Sequence, residues 1–245
     1  MILTNGCSFT EGYSLPPSQR PWPSHLADSL QDDLLNISLG GASNKRIFRT
    51  TVEKILTSNP STIVIGWTFH NRTEITHAEG CYCRYTNYDV LPDFVNHEFD
   101  TSEFANIHKF WTTYIHNEFL NYRDFVYNVL ILQEILEKRK IKYKFFMALD
   151  SNYFFDFLNN TEQAHHFSNI GWHWGKSWNL LPSDTENNFY VDMLKTVERI
   201  DLSKWIFPDT NMRTVLSENN FKIDSTGHFY EDAHEYWSNM IMEHL

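Results

Sequence analysis

The pattern of apolar and polar positions in the first third of the chain alternates between strand and helix. Residues 1–5 and 34–38 predict short strands, and residues 62–67 form a continuous apolar run typical of a strand buried on both faces. Residues 24–34 and 43–58 repeat apolar positions at helical spacing, and each range begins at a serine suited to cap a helix. This βαβαβ order predicts a parallel sheet covered by helices on both faces.

The later part of the chain continues the same pattern with gaps. Residues 122–140 predict a long amphipathic helix, residues 141–149 a further strand, residues 188–198 a helix, and the chain from about residue 230 a last helix. Three apolar residues of that last helix are expected to face inward: Trp237, Met240 and Ile241.

Two segments lack a clean period, namely residues 76–120 and the Trp-rich residues 151–187. We interpret both as compact insertions, because long bare loops are uncommon inside a domain. With 245 residues and no Pro/Gly/Ser linker, the chain is expected to form a single domain over 1–245 that includes these insertions.

The charge balance excludes several classes of partner. The formal net charge is −11, and no cluster of Lys and Arg provides the footprint that a nucleic-acid phosphate backbone requires. No stretch of about 18 apolar residues is present, so no membrane partner is expected. The start of the chain lacks the basic and apolar pattern of a secretory leader, which predicts a cytoplasmic protein.

The cysteines do not indicate a disulfide framework. Their number is odd, and Cys81 and Cys83 are too close in sequence to bridge well. With His77 this pair is a weak metal signal, because a second pair of ligands at finger-like spacing is missing. We therefore expect neither a metal nor a cofactor.

Small polar clusters follow three of the predicted strands, at the edge where ligands bind to open parallel sheets. In the first, Ser8 comes directly after the strand, with a glycine before it. In the second, Gly40 and Gly41 leave backbone N–H groups uncovered, as stabilisation of an oxyanion requires. The third runs from Gly66 to Arg72 and adds hydroxyl, amide and guanidinium donors.

A serine nucleophile needs a base at the same edge of the sheet. His228 lies in a predicted loop just before the last helix, and Asp224 precedes it by four residues. An acid at that position could hold the imidazole in the tautomer that accepts the serine proton. Taken alone, Ser8 could equally be a turn or helix-capping serine, and His228 a surface histidine.

The three clusters and this tail, in this order, resemble the blocks of the SGNH/GDSL hydrolase superfamily. The resemblance implies a flavodoxin-like three-layer α/β/α fold and hydrolysis of esters or acyl groups, commonly without metal. Carried over by position, Ser8 is the nucleophile, Gly41 a backbone oxyanion donor and His228 the base.

The chain departs from the pattern of the superfamily at three places. Cys7 stands where an Asp is usual, which removes no catalytic atom. The third block offers Thr68, which aligns best, and Asn71, which has the better chemistry, as the side-chain oxyanion donor. Asp224 is four residues before His228 instead of three, so it either orients the histidine through a one-residue bulge or leaves a Ser-His dyad.

The expected activity is hydrolysis of a small-molecule or carbohydrate ester, and an O-acetylated sugar would suit an aromatic rim. Four residues are candidates for contact with substrate: Trp67, Arg72, Trp172 and Trp174. For Arg72 an ion pair with Glu74 is an equal alternative, and the tryptophans of the insertion could instead pack as a lid on the core. Two other functions remain open, namely a glycan-binding or assembly protein without catalysis and an acyltransferase. The oligomeric state is not predicted.

Overall fold

Four parallel strands form the centre of the structure, in the spatial order β2-β1-β3-β7. The computed structural model describes residues 1–70, 72–76, 82–85, 90–92, 118–149 and 195–245. The strands are β1 (Ile2–Asn5), β2 (Leu34–Asn36), β3 (Thr62–Trp67), β4 (Thr73–Thr76), β5 (Tyr82–Tyr85), β6 (Val90–Pro92) and β7 (Lys142–Met147). The helices are α1 (Ser8–Glu11), α2 (Trp22–Leu30), α3 (Asn44–Ser58), α4 (Glu118–Lys138), α5 (Met212–Glu218) and α6 (Glu231–His244), with a 3-10 turn at Leu202–Lys204.

The strands of the central sheet are apolar on both faces because both faces are covered. Ile2 pairs with Leu34 on one side and with Thr62 on the other, and Thr62 in turn pairs with Lys142. Successive side chains point to opposite faces, so Val64 joins one core cluster while its neighbours belong to the other. The continuous apolar run predicted for residues 62–67 is therefore confirmed as a doubly buried strand.

The helices form two layers, one on each face of the sheet. Helices α3 and α4 cover one face, around Ile47, Ile55 and Phe125. Helices α2, α5 and α6 cover the other, around Leu26, Leu216 and other apolar residues. This is the predicted three-layer α/β/α arrangement, and it brings the ends of β1, β2, β3 and β7 to one edge.

A second, antiparallel sheet follows β3, with β5 between β4 and β6. It overlaps the start of the insertion predicted at 76–120, whose remaining residues lie mostly outside the described part of the chain. The same holds for the insertion at 151–187 and for most of the helix predicted at 188–198.

Several element boundaries differ from the prediction for local reasons. Helix α2 begins at Trp22 and not after Ser24, because Pro21 takes the cap position and Pro23 fits the first turn. Ser43 is confirmed as the cap of α3, since its side chain accepts a hydrogen bond from Arg46 N–H. Within α6, Met240 is only half-buried, unlike the other two residues expected to face inward.

Among the described residues, no helix is long and apolar enough to cross a membrane. The same part of the chain contains no group of three His, Cys, Asp or Glu side chains placed to hold a metal ion. Cys81 and His77 lie outside the described residues, and the side chain of Cys83 is not described.

Candidate active site

Ser8 lies in the short helix α1, directly after strand β1. The turn from β1 into α1 uses Gly6, whose Cα hydrogen faces Thr10 Oγ1 so closely that a Cβ there would lie 2.2 Å from that atom. Helix α1 ends after one turn at Gly12, which has the left-handed φ of 81°. Ser8 is 8% exposed, and its hydroxyl forms no hydrogen bond with the described part of the chain.

The loop that carries His228 packs against this same segment. The His228 ring lies 5.1 Å from the ring of Phe9 and 5.1 Å from the ring of Tyr13, measured between centroids. Phe229 adds an edge contact to Phe9 at 6.0 Å. The tertiary structure thus brings the loop of the predicted base into contact with the helix of the predicted nucleophile.

Asp224 does not hold the His228 ring directly. Its Oδ1 accepts hydrogen bonds from the backbone N–H of His228 at 3.1 Å and from the backbone N–H of Thr226 at 2.7 Å. The Thr226 hydroxyl lies 2.7 Å from Asp224 Oδ1 and 2.9 Å from His228 Nδ1. No hydrogen bond or ion pair joins the Asp224 carboxylate to the imidazole, both of which are described, and the Thr226 hydroxyl stands between them. Whether Asp224 orients the histidine stays a prediction.

Burial and hydrogen bonding set the protonation states of this pair. Burial lowers the pKa of His228, against the opposing effect of the Asp224 charge. Hydrogen bonds from Ser14 and Thr226 hold the pKa of Asp224 far below its usual range. At neutral pH the imidazole is thus uncharged, as a general base must be, while the carboxylate is ionised.

The second cluster forms a tight turn beside Ser8. Leu39 and Ala42 close it with a hydrogen bond of 3.0 Å, and Gly41 has a φ of 71°, which favours glycine. Gly40 is the residue that approaches Ser8, because a Cβ on Gly40 would lie 3.8 Å from Ser8 Cβ. The turn predicted to supply an oxyanion donor is therefore adjacent to the predicted nucleophile.

Glu11 is a site residue that the sequence reasoning missed. Its Oε2 accepts a hydrogen bond from Gly40 N–H at 2.6 Å, which occupies that backbone donor. Gly41 N–H has no acceptor in the described part of the chain. Glu11 lies one helical turn after Ser8. This spacing would predict a contact with Gly40 only if the relative position of α1 and the second cluster were known.

The third cluster is tied to the second by Asn44, the first residue of α3. Asn44 donates to the carbonyl oxygen of Thr68 at 3.0 Å and accepts from Thr68 N–H at 2.9 Å. Arg72 donates to the Thr68 hydroxyl at 2.8 Å. The hydroxyl hydrogen is then the one donor that Thr68, a fully buried residue, could offer to an oxyanion.

The model of the family of unknown function DUF6071 matches residues 8–168, more than half of the 245-residue chain. The chain belongs to this family. No curated protein matches the sequence.

Three solved structures are similar to this DUF6071 protein over nearly their whole lengths. A structure of TesA has a TM-score of 0.51 at 11% identity, covering 100% of this chain and 97% of that one. An acetyl xylan esterase, AlAXEase, has a TM-score of 0.48 at 11% identity, covering 99% and 98%. The psychrotrophic esterase EstA from Pseudoalteromonas sp., inhibited by monoethylphosphonate, has a TM-score of 0.47 at 12% identity, covering 99% and 94%. The likeness to TesA agrees with the layer arrangement, and the DUF6071 chain has the three-layer α/β/α fold that was predicted.

Trp67 was a candidate for contact with substrate, and this prediction is wrong. It is fully buried and packs edge-on against Phe125 and Phe145, each at 5.7 Å between ring centroids. The cause is the alternation of β3, which turns this side chain toward α4 and away from the loops. Asn71, Trp172 and Trp174 lie outside the described residues of this DUF6071 protein.

Arg72 is half-buried and engaged within its own loop. It bonds to Thr68, and its guanidinium lies 5.4 Å from the ring centroid of Phe69. Glu74, the alternative partner considered for Arg72, forms a two-pronged pair with Arg49 instead, with distances of 3.1 and 3.2 Å. Contact of Arg72 with a substrate stays a prediction.

Proposed function

We propose that this DUF6071 protein is a serine hydrolase that cleaves an ester through an acyl-enzyme, with Ser8 as nucleophile and His228 as base. One observation carries the proposal: the His228 ring lies against the segment of Ser8 with its two nitrogens in different environments. Nδ1 faces the Thr226 hydroxyl, whereas Nε2 is buried and has no hydrogen-bond partner among the described residues. A buried, unpartnered ring nitrogen next to the segment that carries a serine suits a general base that accepts a hydroxyl proton.

The reaction would proceed in two halves. His228 Nε2 accepts the Ser8 hydroxyl proton while Oγ forms a bond to the ester carbonyl carbon, and the alcohol then departs with the proton held on Nε2. Water, deprotonated by the same nitrogen, then attacks the acyl carbonyl carbon. The bond between that carbon and Ser8 Oγ breaks, Oγ takes the proton back from Nε2, and the acid is released. The negative oxygen of each tetrahedral intermediate would accept from the N–H groups of Ser8 and Gly41, with the Thr68 hydroxyl or Asn71 as a third donor.

The finer proposal is that the ester belongs to a carbohydrate, as in an O-acetyl group. Tyr13 supports an aromatic rim, because its ring contacts His228 and is 53% exposed. The face of such a ring can pack on the apolar side of a sugar. Trp172 and Trp174 would extend this rim if the Trp-rich insertion reaches the site.

A fluorophosphonate probe tests the proposal, because it phosphonylates an activated serine without requiring the true substrate. We expect wild-type protein to be labelled, and Ser8→Ala and His228→Ala to lose labelling by about three orders of magnitude or more. Ser29→Ala and His244→Ala are matched controls, since both residues are exposed and belong to helices α2 and α6. These two variants should be labelled like the wild type.

Absence of labelling in folded wild-type protein would overturn the hydrolase proposal. A glycan-binding protein without catalysis on the same fold would then be favoured, since Glu11 occupies one backbone donor and Asp224 does not touch the imidazole. If labelling succeeds, a p-nitrophenyl acetate assay with an added alcohol separates hydrolase from acyltransferase. Acyl transfer mainly to water is expected, and transfer mainly to the alcohol would contradict hydrolysis as the activity.

A further inference from the structure

We propose that Thr226 is a positioning residue of this site, whose hydroxyl connects the Asp224 carboxylate to the His228 ring. The inference rests on the proposed hydrolase function and extends it. The juxtaposition behind it is a single hydroxyl 2.7 Å from a carboxylate oxygen and 2.9 Å from a ring nitrogen.

The turn that carries His228 explains why the carboxylate cannot reach the ring. Asp224 N–H donates to the His228 carbonyl at 2.8 Å, and Gly227 N–H donates to the Asp224 carbonyl at 3.1 Å. Gly227 has a φ of 84°, as expected for glycine at the left-handed position of a three-residue hairpin loop. Asp224 and His228 therefore face each other through their backbones, and the Asp224 side chain folds over the loop instead of toward the imidazole.

The direction of each hydrogen bond follows from counting hydrogens. An ionised carboxylate only accepts, so the single hydroxyl hydrogen of Thr226 is donated to Asp224 Oδ1. The hydroxyl oxygen is then an acceptor toward His228, which places the ring hydrogen on Nδ1. Nε2 is left without a hydrogen, as the proposed general base requires.

The other carboxylate oxygen of Asp224 joins this network to the segment of the nucleophile. Ser14, six residues after Ser8, has its hydroxyl 2.5 Å from Asp224 Oδ2 and 3.4 Å from Thr226 Oγ1. The carboxylate is thus bonded on both oxygens by groups from the two segments that meet at the site. Asp224 and His228 are both described, and no ion pair joins the carboxylate to the imidazole ring. The negative charge of Asp224 would therefore act on the imidazolium through the Thr226 hydroxyl.

A purely structural role for Thr226 must be separated from this one, because its backbone N–H also caps Asp224 Oδ1 at 2.7 Å. Thr226→Val keeps the shape and the N–H but removes the hydroxyl, and Thr226→Ser keeps the hydroxyl. Thr57→Val is the matched control, since Thr57 is an exposed threonine of α3 whose hydroxyl bonds only to backbone carbonyls.

The experiment measures the rate of fluorophosphonate labelling against pH for each folded variant. Thr226→Val should be labelled about 10- to 100-fold more slowly than the wild type, the usual effect of losing a hydrogen bond to a charged group. Its pH midpoint should move to lower pH, because the imidazolium loses the partner of its Nδ1–H. Thr226→Ser and Thr57→Val should remain within about threefold of the wild type.

Two results would overturn the role of Thr226 while leaving the hydrolase proposal intact. One is wild-type labelling that depends on Ser8, with Thr226→Val matching it in rate and midpoint. The other is a double variant, Thr226→Val with Asp224→Asn, whose loss equals the product of the two single losses, since residues acting in series are not additive. Wild-type protein that is not labelled at all contradicts the proposed function itself.

Discussion

His234 provides a sharp test of the described packing, because it is a titratable group at the centre of a helix interface. It lies in α6, is 2% exposed, and its Nδ1 accepts a hydrogen bond from Trp22 N–H at 3.2 Å. Burial, together with the nearby charges of His25 and His228, lowers its pKa to about 4. His234→Asn removes the titration and keeps an acceptor at the position of Nδ1.

The sign follows from which state binds the proton. Between pH 6.5 and about 4 the unfolded chain carries a proton on His234 and the folded chain does not, so the free energy of unfolding falls as the pH falls. The contribution of the neutral His234 to the free energy of unfolding is fully present above pH 6.5, and about 3 kcal/mol of this contribution is lost at pH 4. The His234→Asn variant does not lose this free energy on acidification. Any cost of the substitution itself is the same at every pH and does not change the pH dependence.

Urea unfolding followed by tryptophan fluorescence at pH 7, 6, 5 and 4 measures the effect. The difference in free energy of unfolding between wild type and His234→Asn should shift by about 3 kcal/mol in favour of the variant from pH 7 to pH 4. His244→Asn, an exposed change in the same helix, should leave the pH dependence of the wild type unchanged. Parallel curves for wild type and His234→Asn would refute the reasoning, since they require His234 to titrate alike in both states.

Four further predictions concern stability and the pH dependence of the site. Gly66→Ala should lower the free energy of unfolding by about 1–3 kcal/mol in urea titrations, because its Cβ would lie 2.8 Å from Phe146 Cζ; an unchanged midpoint would contradict this packing. A Cβ on Gly227 would meet nothing within 4 Å. Gly227→Ala should therefore lower the free energy of unfolding by only about 1–2 kcal/mol, the cost of a left-handed φ, measured in the same way. Trp237→Ala should cost about 3–5 kcal/mol, since the ring is fully buried. The rate of fluorophosphonate labelling should fall on acidification with a midpoint below 6.5, because burial lowers the pKa of His228, and a midpoint above 6.5 would speak against a neutral base.

The layer arrangement follows from local signals that a single sequence contains. The apolar run at 62–67 predicts a strand buried on both faces. Ser43 caps helix α3 through a hydrogen bond from a residue only three positions later in the sequence. Boundaries were less accurate where two local signals compete, as at Pro21, which overrides the serine three residues later as the start of α2. Patterns of this kind are read from neighbours along the chain, so no tertiary contact is needed to interpret them.

The sequence by itself determined which polar groups gather at one edge of the sheet, because parallel strands end on the same side and the order of motifs places Ser8, Gly41 and His228 after them or in a late loop. Only the tertiary structure decided which atoms touch. The position of the Thr226 hydroxyl between carboxylate and imidazole depends on the geometry of a turn. The hydrogen bond from Gly40 N–H to the Glu11 carboxylate depends on the approach of helix α1 to a turn 29 residues away in sequence. Hydrogen bonds need placement within a few tenths of an ångström, and only packing of the whole chain supplies it.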